Sequence, residues 1–257
     1  MTLRHFWMLA DEMARMALKA DASRLYLGYV WWVLEPLLYV AVFYLVFDVL
    51  LESPRADFLA FLMCGKLTFV WFSKSVVHAS RSILAAKGLI GKIDLPKALF
   101  PIASIQQSLY KQLAVFALLF VFLVATGHGV SAAWLWLPLI VVVNYLLIAA
   151  CAMAASAMVC VVEDVAMLVG LAMVFLLFSS GIFWDPRALD PQAMELLFTL
   201  NPIAFLLDAY RQVLMAGVAP DWVYLVVIGL ISAGACAVMV LIMHRSSRFL
   251  ALRAITS

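Results

Sequence analysis

Charged residues are scarce in this sequence. Only 12% of its 257 residues are Asp, Glu, Lys or Arg, whereas 67% are hydrophobic. An ordinary soluble domain is about one-quarter charged and about half apolar. The composition therefore excludes that class and makes an integral membrane protein the first class to consider. The net charge of +2 is too small to indicate a nucleic-acid partner.

Motifs for nucleotide binding, hydrolysis and metal coordination are also lacking. Gly65-Lys66 and Gly91-Lys92 have neither the glycine-rich loop nor the following hydroxyl of a P-loop, so we predict no ATP site on this chain. There is no HExxH, no GxSxG and no metal-ligand cluster. The four cysteines lie singly in apolar runs, which predicts buried apolar side chains. We therefore expect no enzyme activity and no cofactor or metal bound by this chain.

Long apolar runs, in contrast, are plentiful. Each is long enough to cross a bilayer once, because a helical span needs about 20 apolar residues. They occupy 29–51, 58–79, 101–126, 134–161, 165–184 and 223–243. The sequence thus predicts an all-α integral membrane protein that forms a single transmembrane domain of six helices over 1–257. No internal repeat is evident, which disfavours a proton-coupled carrier.

Basic residues are distributed unequally between the two sides of these spans. Three basic residues, Arg55, Arg187 and Arg211, lie on one side of the membrane. Eleven lie on the side that holds both termini: Arg4, Arg15, Lys19, Arg24, Arg81, Lys87, Lys92, Lys97, Arg245, Arg248 and Arg253. Because cytoplasmic segments are enriched in Lys and Arg, we expect both termini to be cytoplasmic.

Segments outside the apolar runs have patterns of their own. Residues 1–28 mix apolar and charged side chains, which predicts an amphipathic interfacial helix rather than a plain cytoplasmic tail. Residues 80–97 predict a structured docking surface or, alternatively, a loop packed on the bilayer. Residues 185–222 contain two apolar stretches hinged at Asn201-Pro202, which predicts two short re-entrant helices on the periplasmic side. Residues 244–257 form a cytoplasmic tail.

The ionisable residues within or at the edge of the predicted spans include Glu35, Lys66, Lys74 and Lys111. Charge inside a bilayer is costly, so such residues pair with a partner, extend to the interface or act in transport. The sequence leaves these alternatives open.

Four motifs in a fixed order give the chain a family resemblance. They are LGxxWxxLxP at 27–36, the glycine- and aromatic-rich CGKLTFVWFSKS at 64–75, LIGKIDLPKALFPI at 89–102, and Asn201-Pro202 followed by Arg211. Together they resemble the permease subunits of ABC transporters that export capsule and O-antigen polysaccharides. Lys66 departs from the usual second motif. The first motif resembles capsule exporters and the third resembles O-antigen exporters, so the polymer stays open between the two.

The resemblance implies partners and two sites. It implies a homodimer of this chain in the bacterial inner membrane, with two cytoplasmic ATPase subunits that bind ATP and Mg. It also implies a coupling helix within 80–97, whose contacts with the ATPase would be Leu84, Lys87, Leu89, Ile90, Lys92, Ile93 and Asp94. The periplasmic gate would include Asn201, Pro202 and Arg211.

Aromatic residues are candidates for the polysaccharide channel. Aromatic rings offer a stacking surface to the C–H faces of sugars, and a polymer needs weak, repeated contacts in order to pass. The candidates are Tyr26, Tyr29, Trp31, Trp32, Tyr39, Phe43, Phe69, Trp71 and Phe72, with Glu35 at the cytoplasmic entrance. The alternative for these rings is an aromatic belt at the depth of the lipid headgroups.

The resulting functional hypothesis is a permease subunit that exports a lipid-linked polysaccharide. One alternative is an ABC permease for a smaller lipid or drug. Another is an integral-membrane transferase that acts on lipid-linked sugars. The transferase would need a catalytic base, and the cytoplasmic-side candidates Glu35, Glu163 and Asp164 show no convergence in the sequence.

Overall fold

The computed structural model describes residues 2–24, 28–50 and 57–256, with the backbone alone at residues 3, 24 and 47–49. All regular structure within these residues is helical, which confirms the all-α prediction. The helices are α1 Leu3–Arg24, α2 Trp31–Tyr44, α3 Phe58–Ser80, α4 Ser82–Ala85, α5 Lys87–Ile90, α6 Leu99–Ala125, α7 Leu137–Val161, α8 Val165–Ser179, α9 Pro191–Leu200, α10 Pro202–Arg211, α11 Trp222–Arg245 and α12 Ser247–Thr256. Short π-helical turns extend α2 over Leu45–Leu50 and α10 over Gln212–Ala216.

Four of the described helices are long and apolar enough to cross a membrane. They are α3, α6, α11, and α7 together with the turn before it, and the number rises to six if the pairs α1–α2 and α9–α10 each count as one bent span. The predicted run at 165–184 behaves differently, because α8 ends at Ser179 after 15 residues. Gly181, with φ +70°, then turns the chain. A Cβ on Gly181 would lie 2.5 Å from Cγ of Pro186, so this turn requires glycine.

Helix α3 forms the centre of the bundle. It packs against α6, α7, α8 and α10, and 67% of its most apolar 18-residue window is buried. Helix α11 lies at the periphery on α7, with 22% of the corresponding window buried. A helix that is apolar on every side yet poorly covered by protein suits contact with lipid chains.

Helices α4 and α5 connect the end of α3 to the start of α6. The two helices are four residues each, and they are followed by turns at 91–93. The C-terminal helix α12 packs against α4, α5 and α7, so it supports the short helices from behind. The sequence predicted structure in this segment but gave no sign of the support from α12.

Helices α9 and α10 meet at an angle of 113° at Asn201. The Asn201 side-chain oxygen accepts hydrogen bonds from the backbone N–H groups of Ile203 (3.2 Å) and Ala204 (3.3 Å), which caps α10. Its Nδ2 donates to Oγ of Ser180 at 2.9 Å, beyond the end of α8. Pro202 occupies the first position of α10, where it needs no N–H partner. The hinge at Asn201-Pro202 is thus present, while its position relative to the membrane stays a prediction.

We expect Asn201→Ala to destabilise the protein by about 1–2 kcal/mol, because it removes the cap of α10 and the bond to Ser180. Thermal unfolding of the purified chain in detergent measures the change. Asn201→Asp retains an oxygen for both N–H groups and serves as the matched control, with most of the stability restored. Equal unfolding temperatures for Asn201→Ala and the wild type would contradict this role.

Candidate functional site

A cavity of about 1170 Å³ opens between the N-terminal helices and the bundle. Residues of α1, α2, α3, α6 and α8, together with the segment 81–86, form its walls. Its volume is slightly above the range for small-ligand sites, which is about 300–1000 Å³. The cavity also lies beside α4, so the helices that line it are joined directly to the predicted coupling segment.

Polar and cationic side chains line one wall of this cavity. They recur at three- or four-residue spacing and therefore project from one face of each helix. They are Lys74, His78 and Arg81, at and just beyond the end of α3, and Ser104, Gln107 and Lys111 on α6. Nδ1 of His78 and Oγ of Ser104 are 2.8 Å apart and hydrogen-bonded across the two helices.

Two carboxylates from the opposite wall pair with two of these cations. Oδ2 of Asp21, on α1, lies 2.6 Å from Nζ of Lys111 and 2.7 Å from Nε2 of Gln107. Glu35, on α2, forms an ion pair with Lys74. Both pairs join the N-terminal helices to the bundle across the cavity. Glu35 therefore lines the cavity with a defined partner, as does Lys74.

Helix α1 lies across α6 and is held at two points. Asp11 accepts a hydrogen bond from the hydroxyl of Tyr110 and forms an ion pair with Arg15 at 2.9 Å. Asp21 provides the second point, because it accepts hydrogen bonds from Gln107 and Lys111. Asp11 and Asp21, which are about 15 Å apart along α1, therefore both attach this helix to the segment 107–111 of α6.

Four of the predicted channel aromatics lie on the cavity walls: Trp31, Trp32, Tyr39 and Trp71. The Nζ of Lys111 is 5.8 Å from the ring centroid of Trp32, and the Nζ of Lys66 is 5.6 Å from that of Tyr39. Both distances are within the range of a cation–π contact. The cavity thus presents aromatic faces beside hydrogen-bonding groups, a combination suited to sugars and to amphiphiles.

The other predicted channel residues lie elsewhere. Those that do not line the cavity are Tyr29, Phe43, Phe69 and Phe72. Phe69 and Phe72 are buried among the helices of the core, and Phe43 packs against Phe183 with ring centroids 6.4 Å apart. Tyr26 lies outside the described residues. Which rings contact a polymer stays a prediction.

Several cavity residues were missed by sequence reasoning. Asp21 lies outside the predicted spans, and its partner Gln107 is 86 positions away. His78 and Ser104 were assigned no role. The spacing of four residues between the polar positions 74 and 78, and between 107 and 111, is the signal that could have revealed this shared polar face.

Arg211 is buried near the opposite end of α3. Its guanidinium donates hydrogen bonds to the carbonyl oxygens of Gly181 (2.7 Å), Ile182 (3.2 Å) and Phe61 (3.2 Å). It also lies 3.6 Å from the ring centroid of Phe61. Only 5% of Arg211 is exposed, so these carbonyls replace water around the charge. The residue ties α10 to α3 and to the turn after α8, while its role in a gate stays a prediction.

An ion pair between Arg187 and Asp208 supports the same region. Arg187 donates bidentately to the carboxylate of Asp208, with Nε–Oδ1 and Nη2–Oδ2 distances of 3.0 Å. These hydrogen bonds raise the pKa of Arg187 above its ordinary value. Gln212 donates to the same carboxylate at 2.6 Å. The network fixes the segment after Gly181 against α10.

A model of the ABC-2 type transporter family matches residues 22–215, which include the cavity-lining helices α2, α3, α6 and α8 and the Asn201 hinge. The chain belongs to the ABC-2 type transporter membrane family. This membership confirms the family resemblance seen in the sequence. It makes the chain a multi-pass membrane permease, a transport subunit of the kind that works with a separate ABC ATPase.

Curated relatives of the permease carry a more specific name. A protein of Klebsiella pneumoniae is 24% identical over 192 residues, which are 74% of each chain. A protein of Myxococcus xanthus is 24% identical over 214 residues, which are 83% of this chain and 82% of the relative. Both are named O-antigen export system permease protein RfbA.

The predicted coupling residues of the permease differ in accessibility. Lys87, Leu89, Lys92, Ile93 and Asp94 are exposed, and Leu84 is half-buried. Ile90 is buried, with 7% of its surface exposed, and belongs to the hydrophobic core. It is therefore unsuited to direct contact in this conformation, and a polar substitution there would test folding rather than docking.

Among residues 2–24, 28–50 and 57–256, no cluster of His, Cys, Asp or Glu could hold a metal ion.

We expect Gly65→Ala to displace Arg211, because the added Cβ would lie 2.2 Å from Nη2 of that arginine. The loss of charged hydrogen bonds should lower stability by about 2 kcal/mol or more. The measurement is a double-mutant cycle by thermal unfolding in detergent. In an Arg211→Met background the cost of Gly65→Ala should largely disappear. An unchanged cost in that background would show that the glycine serves another contact.

Proposed function

We propose that this permease is the membrane subunit of an ATP-driven exporter that moves a lipid-linked polysaccharide of the O-antigen type across the bacterial inner membrane. Family membership and the name shared by the curated relatives support this proposal. The observation that carries it is the cavity, whose walls combine Trp31, Trp32, Tyr39 and Trp71 with hydrogen-bonding side chains. A homodimer would complete the path, with both termini in the cytoplasm.

The substrate class follows from the chemistry of the cavity walls. Sugar rings have apolar C–H faces and hydroxyl edges, and the cavity offers aromatic faces beside Ser104, Ser108 and Gln107. Aromatic contacts are tolerant of the sugar's orientation, so a repetitive chain can slide from one contact to the next. The pairing of Lys74 with Glu35 and of Lys111 with Asp21 limits tight electrostatic trapping of a long polymer.

The connection between α3 and α6 provides the route for energy coupling. Helices α4 and α5 join these two cavity-lining helices directly, and α12 supports them from behind. ATP and Mg would bind the ATPase subunits, whose closure would push on the exposed side of this segment. A rigid segment then passes the displacement to the cavity as a hinge or shear movement.

We expect the double substitution of Leu89→Ser and Ile93→Ser to weaken ATPase binding by about tenfold or more, because both side chains are exposed apolar anchors in the coupling segment. Co-purification of the ATPase with the tagged permease measures it. Leu135→Ser, at a side chain that is 84% exposed outside this segment, is the control and should leave the yield unchanged. An undiminished ATPase yield from the double variant would overturn the coupling assignment.

We expect deletion of the gene in its native host to abolish surface polysaccharide and to leave lipid-linked polymer inside the cell. Tyr39→Ala should restore assembly with the ATPase but less surface polymer than the wild type, since it removes a ring from the cavity wall. Tyr44→Ala is the matched control, because Tyr44 lies on the same helix outside the cavity. Normal surface polymer in the deletion strain, with loss of resistance to a small amphiphile, would favour a smaller lipid or drug as substrate.

A further inference from the structure

We infer that Lys74 and Lys111 form a binding site for the phosphate of an anionic lipid headgroup, and that Glu35 and Asp21 are exchangeable internal counterions of that site. The inference rests on the proposed function only for the lipid nature of the ligand. The site lies at the cavity wall where α3 and α6 face the N-terminal helices.

The hydrogen bonds to Asp21 are the first evidence for a phosphate site. One carboxylate oxygen, Oδ2, is held by the ammonium of Lys111 at 2.6 Å and by the amide of Gln107 at 2.7 Å. Two convergent N–H donors, one of them cationic, are also what a phosphate oxygen requires. Both donors belong to α6, whereas the acceptor belongs to α1. The bundle thus retains the complete donor pair when the carboxylate withdraws.

The second ion pair has the same arrangement. Lys74 belongs to α3 in the bundle, and its partner Glu35 belongs to α2. Both cations therefore stand on the central helices and both anions on the N-terminal pair. An incoming anion that took both lysines would replace both carboxylates at once, and two of the side-chain ties between α1–α2 and the bundle would be released together.

The exposure of these groups makes such an exchange feasible. The side chains of Lys74 and Glu35 are 52% and 31% exposed, and those of Lys111 and Asp21 are 32% and 38% exposed. Ion pairs that are partly in water are weak, because both partners are readily rehydrated when they separate. Deeply buried pairs would resist replacement by a ligand.

The charge balance of the cavity also favours an anionic ligand. Its walls carry the cations Lys74, Arg81 and Lys111 but only two carboxylates. Arg81 is exposed and forms no ion pair with any residue that the structure describes. Trp31 and Trp32 line the same cavity and offer apolar surface to the carbon chain or first sugar of the ligand. A headgroup with one or two phosphates, attached to an apolar chain, matches this set.

The test is binding of farnesyl pyrophosphate to the purified full-length permease in detergent, measured by calorimetry. We expect Lys74→Met and Lys111→Met each to weaken binding by about fivefold or more. Glu35→Gln and Asp21→Asn should each tighten binding by about threefold to fivefold, because they free a lysine from its internal competitor. A merely structural ion pair would not produce this opposite sign. Lys19→Met and Glu12→Gln, at exposed positions of α1 outside the cavity, are the matched controls and should leave affinity unchanged.

Competing ligands identify the source of the phosphate. Inorganic pyrophosphate that competes at equal concentration would support the anion site and assign it to free phosphate, whereas competition only by the farnesyl ester would assign it to a lipid headgroup. Farnesol should not compete. The inference is overturned if all four substitutions leave affinity unchanged, or if the carboxamide variants weaken binding as the methionine variants do. Because the assay contains neither ATPase nor polymer, the proposed export function can fail while this site stands, and the reverse also holds.

Discussion

The buried guanidinium of Arg211 is the interaction on which one end of the bundle depends. Only 5% of Arg211 is exposed, and its charged guanidinium donates hydrogen bonds to three backbone carbonyls. Those carbonyls come from α3 and from the turn after α8, so the arginine joins three helices that are distant in the chain. The absence of a side chain at Gly65 leaves room for this guanidinium, and the turn at Gly181 presents two of the three carbonyls.

At the other end of α3, charged side chains are accommodated in a different way. There Lys74 and Lys111 face a cavity, and each of them is paired with a carboxylate on the N-terminal helices. Arg211 is fixed by backbone atoms that cannot move away, while Lys74 and Lys111 are fixed by side chains that can. One helix therefore combines a rigid end with a cavity wall whose electrostatic contacts are separable. This division suits a transporter, in which part of the fold must hold while another part moves.

Hydropathy indicated the long apolar helices, and four of those in the described residues are long enough to cross a membrane. The predicted run at 165–184 contains a shorter helix, because α8 ends at Ser179 and the chain then turns, with the Gly181 carbonyl accepting a hydrogen bond from Arg211. The hinge at Asn201-Pro202 was predictable from local capping chemistry. The burial of Ile90 was not, because the helix that supports its segment is α12, more than 150 positions later in the chain.

The sequence indicated some residues of the candidate site but not those that depend on contacts between distant parts of the chain. Trp31, Trp32 and Tyr39 were proposed from their aromatic chemistry and Glu35 from its place at the cytoplasmic entrance, and all four line one cavity. Phe69 and Phe72 fall among the core residues, since hydrophobicity alone does not distinguish a ring that faces a cavity from one that faces a neighbouring helix. Asp21 pairs with Lys111 across 90 positions, and no local pattern reports such a pair.

The contact between Gly65 and Arg211 has an evolutionary consequence. A side chain at position 65 would require the guanidinium of Arg211 to shift, because even a methyl group would lie 2.2 Å from its Nη2 atom. The two positions are therefore expected to change together across the family. A lineage that abandons the arginine is free to acquire a larger residue at position 65, and in doing so it makes the return of the arginine difficult.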